Sequence, residues 1–542
     1  MCKSLKKSKG FKSFLELKKS GSITVFLSLI FVVLIVMIFV FIDVTRIVSS
    51  KSYVKTAAQN SLLVSFGQYN REMYEDYNLF TFGGCNEIGV KDLQYNIETV
   101  LKENLKERPE KNGRYTSFYR LSDCEANIEM EGTITETDEF FRQIKAYVKY
   151  KKALSALKNI TAIGEQINDV TDSKDDISKD VKIDDELLDD NKNKEDKKER
   201  NTKDNSKDKV VSKEENPLKT LNVIFKEGWL SNVLEVNTLS DKDVSIDKLS
   251  EENSKNNIFS FNKKSNSNKG DVKNSQKLMK KYLNSFEGFN ITDSDITNKG
   301  AYLLWAEDFM KDYTTKEKGD ICEMEYIICG HNNDRDNMTD IVNRLLLFRC
   351  AINYITISGD PLLQNKSLTT AEAIASLILL PEIAPALSKV ILFLMAVEES
   401  MVDVRALLDG REINLMPSSS TLKMKYEEIC IANKELYERK AKEYEEAKNS
   451  SIAKGKINYK YVINLFILMT QDKKLVNRTC EIIQHNLRND YNETFDITSA
   501  ITYSNVNFSY DIPYIFSGIL GNKLFSDKLS DSEFSLEYGY FL

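Results

Sequence analysis

From Ile23 to Ile42 the chain reads ITVFLSLIFVVLIVMIFVFI, an unbroken apolar run with no charge, no Pro and no Gly. At about 1.5 Å per residue, a helix of this length covers the roughly 30 Å hydrocarbon core of a bilayer. A cleavable secretion signal has a shorter apolar region, about 7–15 residues, and ends in small residues. This run ends instead in Ile42-Asp43-Val44-Thr45-Arg46. The pattern predicts an uncleaved transmembrane helix over residues 21–43, with Ile23, Phe26, Leu29 and Ile42 among its anchoring residues and the lipid bilayer as its partner.

Flanking charge sets the expected orientation. Lys3, Lys6, Lys7, Lys9, Lys12, Lys18 and Lys19 precede the run against the single acid Glu16, and the far side carries only scattered Arg46, Lys51 and Lys55. By the positive-inside rule, residues 1–20 are a basic cytoplasmic tail and the body after Asp43 lies outside the cytoplasmic membrane. The nearest rival span, 371–397, contains Glu372, Pro381, Glu382, Pro385 and Lys389 and reads as a pair of buried helices. The expected protein is therefore single-pass.

The 542 residues suffice for two or more domains, and a net charge of −7 argues against nucleic acid as a partner, because phosphate contacts need clustered Lys and Arg. Seven of the eight cysteines fall in the exterior portion without a CxxC pair, so neither a zinc site nor a disulfide framework is signalled.

Apolar residues Ile47, Val54, Ala57, Ala58, Leu62 and Phe66 recur at helical steps, which extends the anchor into a long exterior rod broken at Gly83-Gly84. Over 123–135 the period becomes two, with Cys124, Ala126, Ile128 and Met130 alternating with polar residues, as in a strand with one wet face. A helix is expected over 139–157. Residues 173–216 are a mixture of Asp, Lys, Glu, Asn and Ser without one aromatic, and read as a disordered linker; 251–276 read as a shorter disordered loop. The remaining body, 217–542, shows helical patterns over 301–312, 337–355, 370–408, 426–448 and 459–469. Strands return at Val506, Phe508, Tyr510 and Ile512 and in the terminal FSLEYGYF. The fold class is thus a mostly helical α+β, in which 44–172 form a juxtamembrane helix and α/β segment.

Catalytic signals are sparse. Only His331 and His485 are present, and GxSxG, HExxH and GxxxxGK[ST] are absent. HNNDRDNMTD matches the start of a calcium loop at Asn332, Asp334 and Asp336, but Asn337 and Asn343 stand where such a loop needs Gly and Glu, so a helix N-terminus is the simpler reading. CEMEYIICG sets Glu323 and Glu325 on one side of an extended segment, and AVEESMVDVRALLDG sets Glu399, Asp403 and Arg405 near a helix end. No residue is assigned to catalysis, to a cofactor or to a metal.

The opening of the anchor, KKSG followed by SITVFLSLI, resembles type IV prepilins and in particular the TadE and TadG group of tight-adherence pilus components. That resemblance implies prepilin-type cleavage between Gly21 and Ser22, with Phe26 standing where the group carries a docking Glu. More widely, GSITVFLSLI, SFGQYNREMYEDYNLF, EMEYIICG, RLLLFRCAINY, EESMVDVRALLDG and the EYGYF ending are similar to an uncharacterised family of membrane-anchored proteins of Gram-positive bacteria. Together they imply a non-enzymatic envelope protein of a surface assembly or adhesion system, with other pilin-like or envelope proteins as partners. The alternative is an anchored, carboxylate-dependent hydrolase of wall polymers.

Overall fold

The computed structural model describes residues 10–84, 90–105, 123–151, 233, 248–249, 293–317, 320–377, 381–431, 433–446, 455–512 and 530–540. The expected linker at 173–216 and loop at 251–276 lie outside these residues. The fold is α+β and mostly helical, with two small antiparallel sheets. It divides into two compact units, Met1–Glu139 with Leu487–Leu542, and Phe140–Asn486.

The first unit is built on α1 (Gly10–Phe66), a single helix of 57 residues, about 85 Å long at 1.5 Å per residue. The rod ends earlier than its sequence pattern indicates, at Phe66 rather than Gly83. Gly67 follows, and Asn70 caps a separate helix α2 (Arg71–Tyr77) by accepting the Met73 N–H at 2.9 Å. After α3 (Val90–Leu105), strand β1 (Asp123–Thr133) pairs with β5 (Ile501–Ile512), which in turn pairs with β6 (Ser530–Gly539), all antiparallel. The expected alternation holds on β5, where Val506, Phe508 and Tyr510 are buried.

These residues meet the inner face of α1. Val54, Ala57, Ala58, Leu62 and Phe66, spaced three and four apart, share one core with Leu93, Ile97 and Leu101 of α3 and with the sheet. The chain's last described residues close that core. Tyr538 and Tyr540 pack on the Phe66 ring, and the Tyr540 hydroxyl donates to the Phe66 carbonyl at 2.7 Å, satisfying one of the orphan acceptors at the helix C-terminus. Gly539 between them is required, because a Cβ there would stand 2.5 Å from the Tyr503 side chain.

The second unit begins within α4 (Thr137–Lys151) and continues through α5 (Asp293–Phe309), α6 (Glu323–Cys329), α7 (Asp334–Ser358), α8 (Pro361–Leu377) and α9 (Ala384–Leu408). Then follow β2 (Arg411–Asn414), α10 (Lys434–Ala441), β3 (Glu445–Glu446), β4 (Lys456–Ile457), α11 (Tyr459–Met469) and α12 (Asp472–Asp490). The region around Pro381–Pro385 is the expected helix pair, α8 and α9, joined by a 3-10 turn.

Two expectations are corrected here. CEMEYIICG is a buried helix, α6, and not an extended segment. The charged stretch 426–448 is not one helix: a 3-10 turn at Tyr426–Glu428 precedes a fresh start at Asn433, whose side chain accepts the Leu436 N–H. A second helix cap inside a charged run is hard to place from periodicity, although Leu436, Tyr437 and Ala441 bury one face of the new helix.

Candidate membrane anchor and the buried acids

The residues expected to anchor the chain lie on α1. Ile23, Phe26 and Leu29 are 60–64% exposed on α1, and no part of the span's most apolar window is covered by protein. Among the described residues nothing packs against these apolar side chains, an arrangement compatible with a lipid bilayer. Ile42 is half-buried, and one residue later the surroundings change: Asp43 and Arg46 are both buried and pair at 3.8 Å across one turn. Gly21 and Ser22 lie within the helical backbone of α1. The Ser28 hydroxyl donates back to the Val25 carbonyl at 2.8 Å, so its polarity is met within the helix.

A second helix, α7, is apolar and long enough to cross a membrane, yet 78% of its apolar window is buried in protein. It carries Asp340, Arg344 and Arg349, and it is the core helix of the second unit.

The carboxylates singled out by sequence are wired to backbone donors. Glu323 accepts the Lys311 N–H at 2.7 Å and Glu325 accepts the Tyr313 N–H at 2.9 Å, so α6 uses two acids to hold the turn that follows α5. Burial pushes the Glu325 carboxyl up to about 7, although hydrogen bonds from the Tyr459 hydroxyl and the Tyr313 N–H pull the other way. Asp334 accepts the Cys322 N–H at 3.1 Å and Asn333 caps α7, so the Asn332, Asp334 and Asp336 stretch is a helix start. Among the described residues no group of three or more His, Cys, Asp or Glu is arranged to hold a metal ion.

On α9 the pairing differs from the expected helix-end cluster. Arg405 turns to Asp409 and Glu438, while the cation of Asp403 is Arg349 on α7. Arg349 donates through Nε to one Asp403 oxygen at 2.9 Å, with Nη2 ion-paired to the same oxygen at 2.8 Å, and it donates through Nη2 to Asn353 Oδ1 at 3.3 Å and through Nη1 to the Leu415 carbonyl at 2.8 Å. Asn353 Nδ2 donates to the same Asp403 oxygen at 2.8 Å, and the Tyr444 hydroxyl donates to the other at 2.7 Å. Glu399 accepts the N–H groups of Lys423 and Met424, and burial followed by the Asp403 charge raises its pKa. Glu398, wholly buried, has no hydrogen-bond partner among the described residues, and burial holds its carboxyl well above the usual range.

This is the chemistry of a tied interior rather than of a reaction centre. Glu323, Glu399 and Asp403 are held by the protein's own donors, whereas Glu325 is held through Oε1 alone, its Oε2 having no hydrogen-bond partner among the described residues. Arg349, Asn353 and Tyr444 were not among the residues marked by sequence; the available signal was an Arg and an Asn four apart inside the apolar RLLLFRCAINY of α7.

No curated protein and no solved structure matches the chain. Residues 206–512 match the model of a family of unknown function, DUF5702, and with more than half of its length covered the chain belongs to that family.

Proposed function

We propose that this is a non-enzymatic envelope protein, anchored by α1 with its N-terminus in the cytoplasm and its body outside, and acting as a TadE/TadG-like or pilin-like component of a surface assembly. The observation that carries the reading is the division of labour along α1. Its first half exposes apolar side chains on all faces, and its second half buries one amphipathic face against a three-stranded antiparallel sheet. A helix built this way presents a subunit's body at a fixed distance from the bilayer while leaving the membrane half free to pack laterally on other helices. The basic tail ahead of Gly21 supports the orientation. The hydrolase alternative draws on the raised carboxyls of Glu325 and Glu399, but both are buried away from solvent, with Glu325 Oε1 and both oxygens of Glu399 accepting backbone N–H groups.

The test is the N-terminal sequence and size of the chain recovered from membranes, with and without a co-expressed prepilin peptidase. The expected result is a membrane-bound chain whose terminus shifts to Ser22 only with the peptidase. Retention of the original terminus under both conditions leaves α1 as an anchor and sinks the pilin-pathway part of the proposal. Recovery in the soluble fraction sinks the anchor itself.

A further inference from the structure

The first unit holds a cleft of about 740 Å³, within the roughly 300–1,000 Å³ typical of small-molecule sites. Its apolar lining comes from Phe82, Leu487 and Phe495, all buried. Polar groups ring that lining: Gln68, Arg71, Glu72 and Asn96 on one side, Tyr491 and Asn492 on the other. Neither the anchor nor the buried acids of the second unit have any part in it.

The cleft is built rather than incidental. Asn70 accepts the Met73 N–H and donates to the Gly83 carbonyl at 3.2 Å, which pins the Gly67–Glu72 turn to the Phe82–Gly83 wall. Gly84, at φ +82°, lets the backbone come so close to Phe495 that a Cβ would stand 2.7 Å from the ring. Tyr491 is 55% exposed, yet its hydroxyl is tethered to Asp76 at 3.2 Å. An exposed ring held in place has already lost the rotamer freedom that a ligand would otherwise have to quench.

The rim decides the class of ligand. Arg71 and Glu72 are adjacent and of opposite sign, so the cleft has no excess charge to select a phosphate or a carboxylate. Asn96 Nδ2 reaches Gln68 Oε1 at only 3.4 Å, a weak bond between two cleft-lining side chains that leaves the Gln68 amide nitrogen able to donate and the Asn96 carbonyl able to accept. Neutral groups that both donate and accept, beside the exposed Tyr491 ring, match the hydroxyls and apolar face of a sugar. We propose that this cleft binds a neutral, hydroxyl-rich oligosaccharide, stacked on Tyr491 and hydrogen-bonded by Gln68 and Asn96. The chemistry holds whichever way α1 lies in the membrane.

The experiment uses the full chain in lipid nanodiscs, with chitotetraose, maltotetraose and xylotetraose as probes in calorimetric titration. At least one should bind saturably, and Tyr491→Ala and the Gln68→Ala/Asn96→Ala pair should each weaken it roughly tenfold, as loss of one stack or two hydrogen bonds implies. Tyr491→Phe keeps the ring but frees it from Asp76, so it should weaken binding less than Tyr491→Ala while leaving the fold intact, which separates stacking from a folding defect. Absence of saturable binding by all three probes overturns the proposal. Undiminished binding in both the Ala variants overturns it too, by placing the sugar elsewhere. Displacement of the bound probe by a neutral tetrapeptide of higher affinity would reassign the cleft to peptides.

Discussion

Arg349→Leu is expected to destabilise the second unit by about 3–5 kcal/mol, the range seen when one partner of a buried ion pair is removed. The Arg349 side chain is 1% exposed, as is that of Asp403, and four separate hydrogen bonds converge on the Asp403 carboxylate or leave the same guanidinium for Leu415. Removing the cation leaves a buried carboxylate whose remaining donors, Asn353 and Tyr444, are both neutral. A loss of this size is a large fraction of the roughly 5–15 kcal/mol that holds a domain together. Trp305, buried in the same unit, reports its unfolding by fluorescence in urea. Pairing the change with Asp403→Asn, which keeps an acceptor for Tyr444 and removes the stranded charge, should recover part of the loss. A single variant within about 1 kcal/mol of the parent would mean that the network contributes no more than a surface pair.

The second large effect is a dependence on pH with an unusual sign. Glu325 titrates at about 7 in the folded chain against an ordinary 4.5, because burial disfavours its charged form. Between these values the folded protein holds a proton that the unfolded chain has released. The contribution of Glu325 is therefore fully present below about pH 4.5, declines as pH rises to about 7, and is lost above it, for a total on the order of 3 kcal/mol. Glu398 and Glu399, also raised by burial, act in the same direction. Glu325→Gln keeps acceptors for the Tyr459 hydroxyl and the Tyr313 N–H but has no proton to lose. Its unfolding free energy should match the parent's at pH 4.5 and exceed it at pH 8. Equal stability of the two at pH 8 would show that the carboxyl is solvated in the folded state.

The contrast between these acids and the anchor shows what a sequence makes legible. The apolar half of α1 is written in one dimension, since twenty uncharged residues make every face apolar without help from the rest of the chain. Strands β1, β5 and β6 are nearly as open, because their two-residue alternation survives in Ala126, Val506, Phe508 and Tyr510. The fate of Glu323 and Glu325 is hidden for the opposite reason. Their partners are backbone N–H groups of Lys311 and Tyr313, which carry no residue code, and only the fold brings them within reach. The exchange of Arg405 for Arg349 as the partner of Asp403 has the same origin: neighbours along a helix are visible in sequence, and neighbours across two helices are not. The cleft is harder still, assembled from short pieces near residues 70, 96 and 490 that share no pattern.

The strand order β1-β5-β6 has a consequence in time. The face of α1 that carries Val54, Leu62 and Phe66 emerges early in synthesis, but the strand and the two tyrosines that cover it are more than 460 residues further along. Closing so long a loop is slow compared with local helix formation, and the ribosome needs tens of seconds to deliver its far end. Through that interval the helix stands as an open, greasy seam. A chain cut short before β6 would leave that face of α1 without the cover of Phe534, Leu536 and Tyr538.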